Sequence, residues 1–129
     1  MFQTLSLFKT AQSMAQHAGQ RQALIAQNMA NADTPGYVAR DLPDFATLVS
    51  RRARETFGLR ATRPGHLGGA GGETLVEARA RRGPADPNGN NVSLEEEMLH
   101  SVEARRQHDR ALAIYRSGLN ILRSSIGRS

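Results

Sequence analysis

Four histidines, His17, His66, His100 and His108, are the only imidazoles in the chain, and it contains no cysteine. A zinc centre would have to be built from these and from carboxylates, at spacings such as i, i+4 on one helix face. His100 and His108 stand two helical turns apart, too far for such a pair. No serine, histidine and acid are spaced to suggest a nucleophilic triad. Carboxylates cluster at Glu95, Glu96 and Glu97, where the start of a helix explains them. The run Gly68-Gly69-Ala70-Gly71-Gly72 invites a phosphate-loop reading. Glu73 follows where Lys-Ser or Lys-Thr is required, and no apolar strand precedes it, so the run reads as plain loop. Arg51-Arg52-Ala53-Arg54 and Arg79-Ala80-Arg81-Arg82 carry enough charge to contact phosphates. They lack interleaved aromatics and a helix-turn-helix setting, so they read first as solvated or acid-paired faces. These residues predict no enzyme, no bound metal and no cofactor.

Composition limits what can position such groups. Among 129 residues aromatics are 5%, there is no Trp, and the mean hydropathy is -0.50. Much of the apolar content is alanine, which buries little area, so the core is thin. A chain of this kind is marginal alone or completes its core with neighbours. The formal charge is +5, and Lys9 is the only lysine. A basic balance permits nucleic acid or acidic surfaces as partners without requiring them. In MFQTLSLFKTAQSMAQHAGQ, polar residues interrupt any apolar segment and no basic residue precedes one, unlike a secretory signal. No run approaches membrane-spanning length. The expectation is a cytosolic protein, or one exported without a cleaved signal.

Pro35, Pro43, Pro64, Pro84 and Pro87 all fall in the middle of the chain, leaving both ends free to be helical. The predicted fold is mainly α: long N- and C-terminal helices pairing as a coiled coil, with an irregular middle holding a short helix and a small β-hairpin. The segments are 1–31, 32–92 and 93–129. In the first helix, Phe8, Ala11, Ala15, Ala18, Gln22, Ile25 and Met29 step by threes and fours, the spacing of a coiled-coil seam. In the last, Ser93 and Glu96 suit a capping box. Its predicted seam is Leu94, Met98, Ser101, Arg105, His108, Leu112, Tyr115, Leu119, Leu122 and Ile126, loose at its polar middle. Ala111, Ile114 and Ile121 lie off that line, and a helix apolar on two sides needs two neighbours. Self-association or a multi-subunit assembly follows. Between the ends, residues 41–54 suit a short helix with Asp41 or Asp44 as its cap, Pro43 in its first turn and an apolar stripe of Phe45, Leu48 and Val49. Residues 60–72 read as loop, 74–80 as a weak strand, and Asn88-Gly89 as a hairpin turn.

The first helix ends in a dense turn signal, Asn28-Met29-Ala30-Asn31-Ala32-Asp33-Thr34-Pro35-Gly36-Tyr37. Asn31 suits a left-handed closing residue. Thr34 precedes proline and is pushed out of helical space. Pro35 and Gly36 suit the two centres of a type II turn, where a side chain on Gly36 would cost on the order of 1–3 kcal/mol.

Together with Ile25-Ala26-Gln27 before it, this stretch resembles the signature of bacterial flagellar rod, hook and hook-associated proteins. Ala39-Arg40-Asp41 with Phe45, Thr62 with His66, Gly89-Asn90-Asn91-Val92, and Glu95 with Glu97-Met98 narrow it to the short proximal rod subunits. Val38 departs from the family, which usually has a basic residue there. The resemblance implies an uncleaved subunit exported unfolded by the flagellum's own type III apparatus and assembled in the periplasm into a helical rod. That rod transmits torque from the membrane ring to the hook. Implied partners are other rod proteins, the ring–rod junction protein, the export gate and further copies of the chain. Neither nucleic acid nor a small-molecule substrate is expected. Asn28, Ala30, Asn31, Thr34, Pro35, Gly36 and Tyr37 would form the family turn. Phe8, Ile25, Met29, Leu94, Met98, Leu112, Tyr115, Leu119, Leu122 and Ile126 would lie on the assembly helices. The alternative reading is a small basic nucleic-acid-binding protein.

Overall fold

The proline-free ends form two long helices, as their composition dictates. The computed structural model describes residues 2–55 and 76–127. In order these carry α1 (Phe2–Ala30), β1 (Arg40–Asp41), α2 (Phe45–Glu55), β2 (Arg79–Ala80) and α3 (Leu94–Ile126). The architecture is mainly helical, with a small two-stranded antiparallel sheet. The sheet is not a hairpin, because α2 lies between its strands in sequence. Ser93 caps α3, its hydroxyl accepting the Glu96 amide at 3.5 Å, and the amide of Gly127 closes the other end onto the Arg123 carbonyl at 2.9 Å.

The chain divides into two units, Met1–Asp41 with Ala80–Ser129, and Leu42–Arg79. In the second, Asp44 precedes α2 and its carbonyl accepts the Leu48 amide at 3.2 Å. Pro43 stands before that cap, not in the first turn. Phe45 and Leu48 are half-buried, while Val49 of the same expected stripe is exposed. The expected loop at 60–72, with Thr62, His66 and the glycine run, lies outside the described residues, as does the first part of the 74–80 strand.

In the first unit α1 and α3 pack antiparallel. Phe8 meets Gly118, His17 meets Gln107 at 3.4 Å, and Asn28 meets Glu97 at 3.2 Å. On α1 the buried apolar side chains are Ala11, Ala18 and Ile25, each seven residues after the last. On α3 the buried residues are Glu97, Ala104, Ala111 and Gly118, again a strict heptad. This corrects the predicted α3 seam, which lies one residue too late. Leu94, Met98, Leu112, Tyr115 and Ile126 are exposed, as is Arg105, whereas Ser101, His108, Leu119 and Leu122 are half-buried. Ala111, expected off the seam, is on it. Burying Arg105 unpaired would strip water from a guanidinium, whereas small residues at 104, 111 and 118 let the backbones approach. On α1 the error is smaller: Phe8, Met29 and Ala15 are half-buried, and Gln22 is exposed with Arg21 facing inward in its place. Phe8 also meets Tyr115 edge-on, with ring centroids 5.1 Å apart.

Candidate functional site

The polar residues that the fold gathers sit where α1 ends. Instead of closing on a left-handed residue, α1 tightens. Asn31, Ala32 and Thr34 each donate to the carbonyl three residues back, at 3.0, 3.3 and 3.0 Å. The expected left-handed Asn31 is therefore absent; the residues described have positive φ only at Gly36 and Gly89. The Asn31 amide side chain caps the Gln27 carbonyl at 2.8 Å. Pro35 and Gly36 do occupy the centre of a turn, with the Tyr37 amide donating to the Thr34 carbonyl at 3.3 Å and φ of 72° at Gly36.

A second turn clasps the first. Gly89 donates to the Asp86 carbonyl at 2.8 Å, which makes Pro87 and Asn88 the turn centres and puts the left-handed Gly89 after them. Asn88-Gly89 is thus not the central pair that the sequence suggested. The Gly36 amide donates to the Asn88 carbonyl at 2.9 Å. The buried Asn90 directs its Nδ2 at the carbonyls of Asn31, Ala32 and Thr34, at 3.0, 2.7 and 2.9 Å. Its Oδ1 accepts the Val92 amide at 2.7 Å. Asn91 bridges onward: its Oδ1 accepts the Ala39 amide at 2.7 Å and its Nδ2 donates to the Arg81 carbonyl at 2.8 Å. A single side-chain amide thereby ties together three carbonyls of the turn after α1, of which those of Asn31 and Thr34 also accept a backbone amide.

Beside the clasp lies a buried charged group. Asn28 uses its whole amide. Nδ2 donates to the Arg40 carbonyl at 2.9 Å and to Glu97 Oε2 at 3.2 Å, and Oδ1 accepts from the Arg40 amide at 3.0 Å and from the Tyr37 hydroxyl at 3.2 Å. Glu97 is fully buried, and its other oxygen accepts from Arg81 Nη1. Arg81 Nη2 reaches Asp41 at 3.4 Å, and Arg21 forks onto Asp41 at 3.1 and 3.2 Å. Two carboxylates against two guanidiniums leave the group neutral, the condition for burying such charges. Among the described residues no buried side-chain nitrogen or oxygen lacks a partner.

Of the turn residues singled out by sequence, Asn28, Asn31, Thr34, Gly36 and Tyr37 meet here, while Ala30 and Pro35 are exposed. Glu97, Asn90, Arg21 and Arg81 were missed as partners. Glu97 read as one of three cap acids, though its seven-residue spacing to Ala104, Ala111 and Gly118 marks it as inward. Arg81, from a cluster read as solvated or acid-paired, is the acid-paired member. No group of three or more potential metal ligands occurs among the described residues.

What the arrangement defines is a helix-pair protein whose buried polar groups are spent on holding its own chain. The comparisons with known proteins identify the family. Residues 8–37, which run from Phe8 through the turn to Tyr37, match the family model described as flagella basal body rod protein. The flagellar basal body rod protein FlgB of Agrobacterium fabrum is 34% identical over 89% of this chain and 88% of its own. That of Salmonella typhimurium is 35% identical over 78% of each chain, and that of Escherichia coli 32% over 73% of each. The chain belongs to the FlgB family of flagellar basal body rod proteins. This is a family of structural proteins of the motility apparatus, not of enzymes.

The two left-handed glycines give a graded prediction. Gly36→Ala adds a Cβ that meets nothing within 4 Å, so its expected cost is the backbone term alone, about 1–2 kcal/mol. At Gly89 φ is 82° and a Cβ would stand 3.3 Å from the Gly36 backbone, so Gly89→Ala is expected to cost more. Urea denaturation of the two variants followed by circular dichroism checks the order; equal costs would count against the close turn-on-turn packing.

Proposed function

We propose that this chain is a subunit of the proximal rod of a bacterial flagellum. It would be exported by the flagellar type III apparatus without a cleaved signal and assembled in the periplasm, where the rod carries torque from the membrane ring to the hook. The observation that carries the reading is the outward apolar surface of α3. Leu99 is 68% exposed, Met98 59%, Ile121 60% and Ile126 74%, joined by Leu94, Val102, Leu112 and Tyr115. Of these only Tyr115 has a ring contact across the helix pair, with Phe8, and so many exposed large apolar side chains on one helix mark an interaction surface for neighbours. A repeated heterologous contact of this kind builds an open helical assembly. Residues 1–31 and 93–129 would be the assembly helices and 32–92 the outer part. Neighbours would be other rod proteins and the ring–rod junction protein, with the export gate met in transit. Among the described residues no helix is long and apolar enough to cross a membrane.

The test is deletion of the coding sequence with complementation. Non-motile cells whose basal bodies lack a rod, restored by the intact chain, are the expected result. Normal rods in the deletion strain would overturn the proposal.

A further inference from the structure

The α1–α3 seam poses a problem that the fold must solve. Its buried apolar residues are Ala11, Ala18 and Ile25 on one helix and Ala104, Ala111 and Gly118 on the other, each set in a strict heptad. Sliding one helix by seven residues, roughly 10 Å along its axis, sets small residues against small residues again. Apart from Ile25, knobs this small barely distinguish one register from the next. The connection between the helices guides their alignment only at its two ends, where the clasp ties residues after α1 to residues before α3, because its middle belongs to a separate unit. The central polar contacts include His17 with Gln107 and Arg21 with His100, at 3.4 Å each, and Arg21 with the largely exposed Glu103 at 3.9 Å, all long.

The ends differ from the middle. At one end the Phe8 ring lies against Gly118, where a Cβ would stand 3.0 Å from two ring atoms. Shifted one heptad in one direction, the ring would face the Cβ of Ala111. At the other end Glu97 bonds Asn28 across the helix pair and Arg81 beside it, while Asn90 grips the carbonyls that follow α1. A slip of one heptad one way would set Glu97 opposite Arg21, which stands seven residues before Asn28, and the other way would carry it past the end of α1. Either breaks its bond to Asn28 and parts Asn90 from its carbonyls.

We propose that two pins set the register of the helix pair: the Phe8 ring in the Gly118 gap, and the Glu97–Arg81–Asn28 group with its Asn90 clasp. Each pin alone holds the native alignment, and the alanine seam between them supplies closeness without alignment. The device selects among registers; it is not the source of the helices.

The chain contains no cysteine, so disulfide trapping reads the register directly. His17→Cys with Gln107→Cys reports the native alignment. His17→Cys with His100→Cys, or with Ile114→Cys, reports a slip of one heptad either way. Cysteines out of reach cannot be bridged, so the native pair should oxidise about tenfold more completely than either slipped pair in the parent chain. The same preference is expected in Phe8→Ala, and in the triple variant Arg81→Met, Asn90→Ala, Glu97→Met. With all four substitutions combined, the slipped pairs should rise to yields comparable with the native pair, at unchanged helical circular dichroism. A combined variant that keeps the native preference overturns the proposal. So does one that loses its helices, since the pins would then be supplying stability and not choice.

Discussion

Glu97→Ala is expected to lower stability by about 3 kcal/mol, near the lower bound for breaking a buried ion pair. The carboxylate is fully buried, and its removal strands Arg81 Nη1 and one Asn28 hydrogen. Arg81 keeps Asp41 and is partly exposed, which is why the higher values for such pairs do not apply. In a chain with so thin a core, a loss of this size removes most of the margin between folded and unfolded states. The double variant Glu97→Met with Arg81→Met removes both charges together and should be much milder, because no ion is left without a partner. Urea denaturation of the three proteins decides it. A double variant as unstable as the single one would show that the charges themselves, not the stranding of one, carry the stability.

Truncation after Tyr115 is expected to abolish motility completely. The deletion removes Gly118, and with it the seat of the Phe8 ring, so the far end of α1 loses its mate. It also removes Ile121 and Ile126 from the outward face and half-buried Leu119 and Leu122 from the inner side. Both the intrachain pair and its outer surface therefore fail at one end. Swimming cells carrying only the truncated chain would sink the assignment of assembly to this helix. A milder comparison, Ile121→Ser with Ile126→Ser, touches only the outer face and separates assembly from folding.

Much of this was legible in the sequence because it rests on local rules. The helix ends, the Ser93 cap and the Pro35-Gly36 turn follow from residue types at adjacent positions. What was not legible was rotational. Reading the large apolar residues of α3 as the inner stripe put its seam at Leu94, Met98, Leu112 and Tyr115, one residue from its place. Size misled, because this helix turns its smallest residues inward and leaves most of its largest apolar ones exposed. The charged group was hidden for another reason. Arg21, Asp41, Arg81 and Glu97 meet only once the chain has folded back on itself, and nothing local to any one of them announces the other three. Asn90 is similar: it stands in the family signature, but its three carbonyl partners lie 56 to 59 residues earlier.

The pairing of β1 with β2 has a consequence for how such chains diversify. Ala39 and Arg81 are joined by a 2.7 Å hydrogen bond, so the point where the chain leaves the helix pair and the point where it returns are neighbours. Whatever is threaded between them starts and ends at one closed neck. Segments inserted at such a site can grow, shrink or be exchanged at little expense to their host, because the ends they must join are already together. The helix pair is in this sense a socket. One helix pair can carry many different inserted segments, made by changing the graft and keeping the neck.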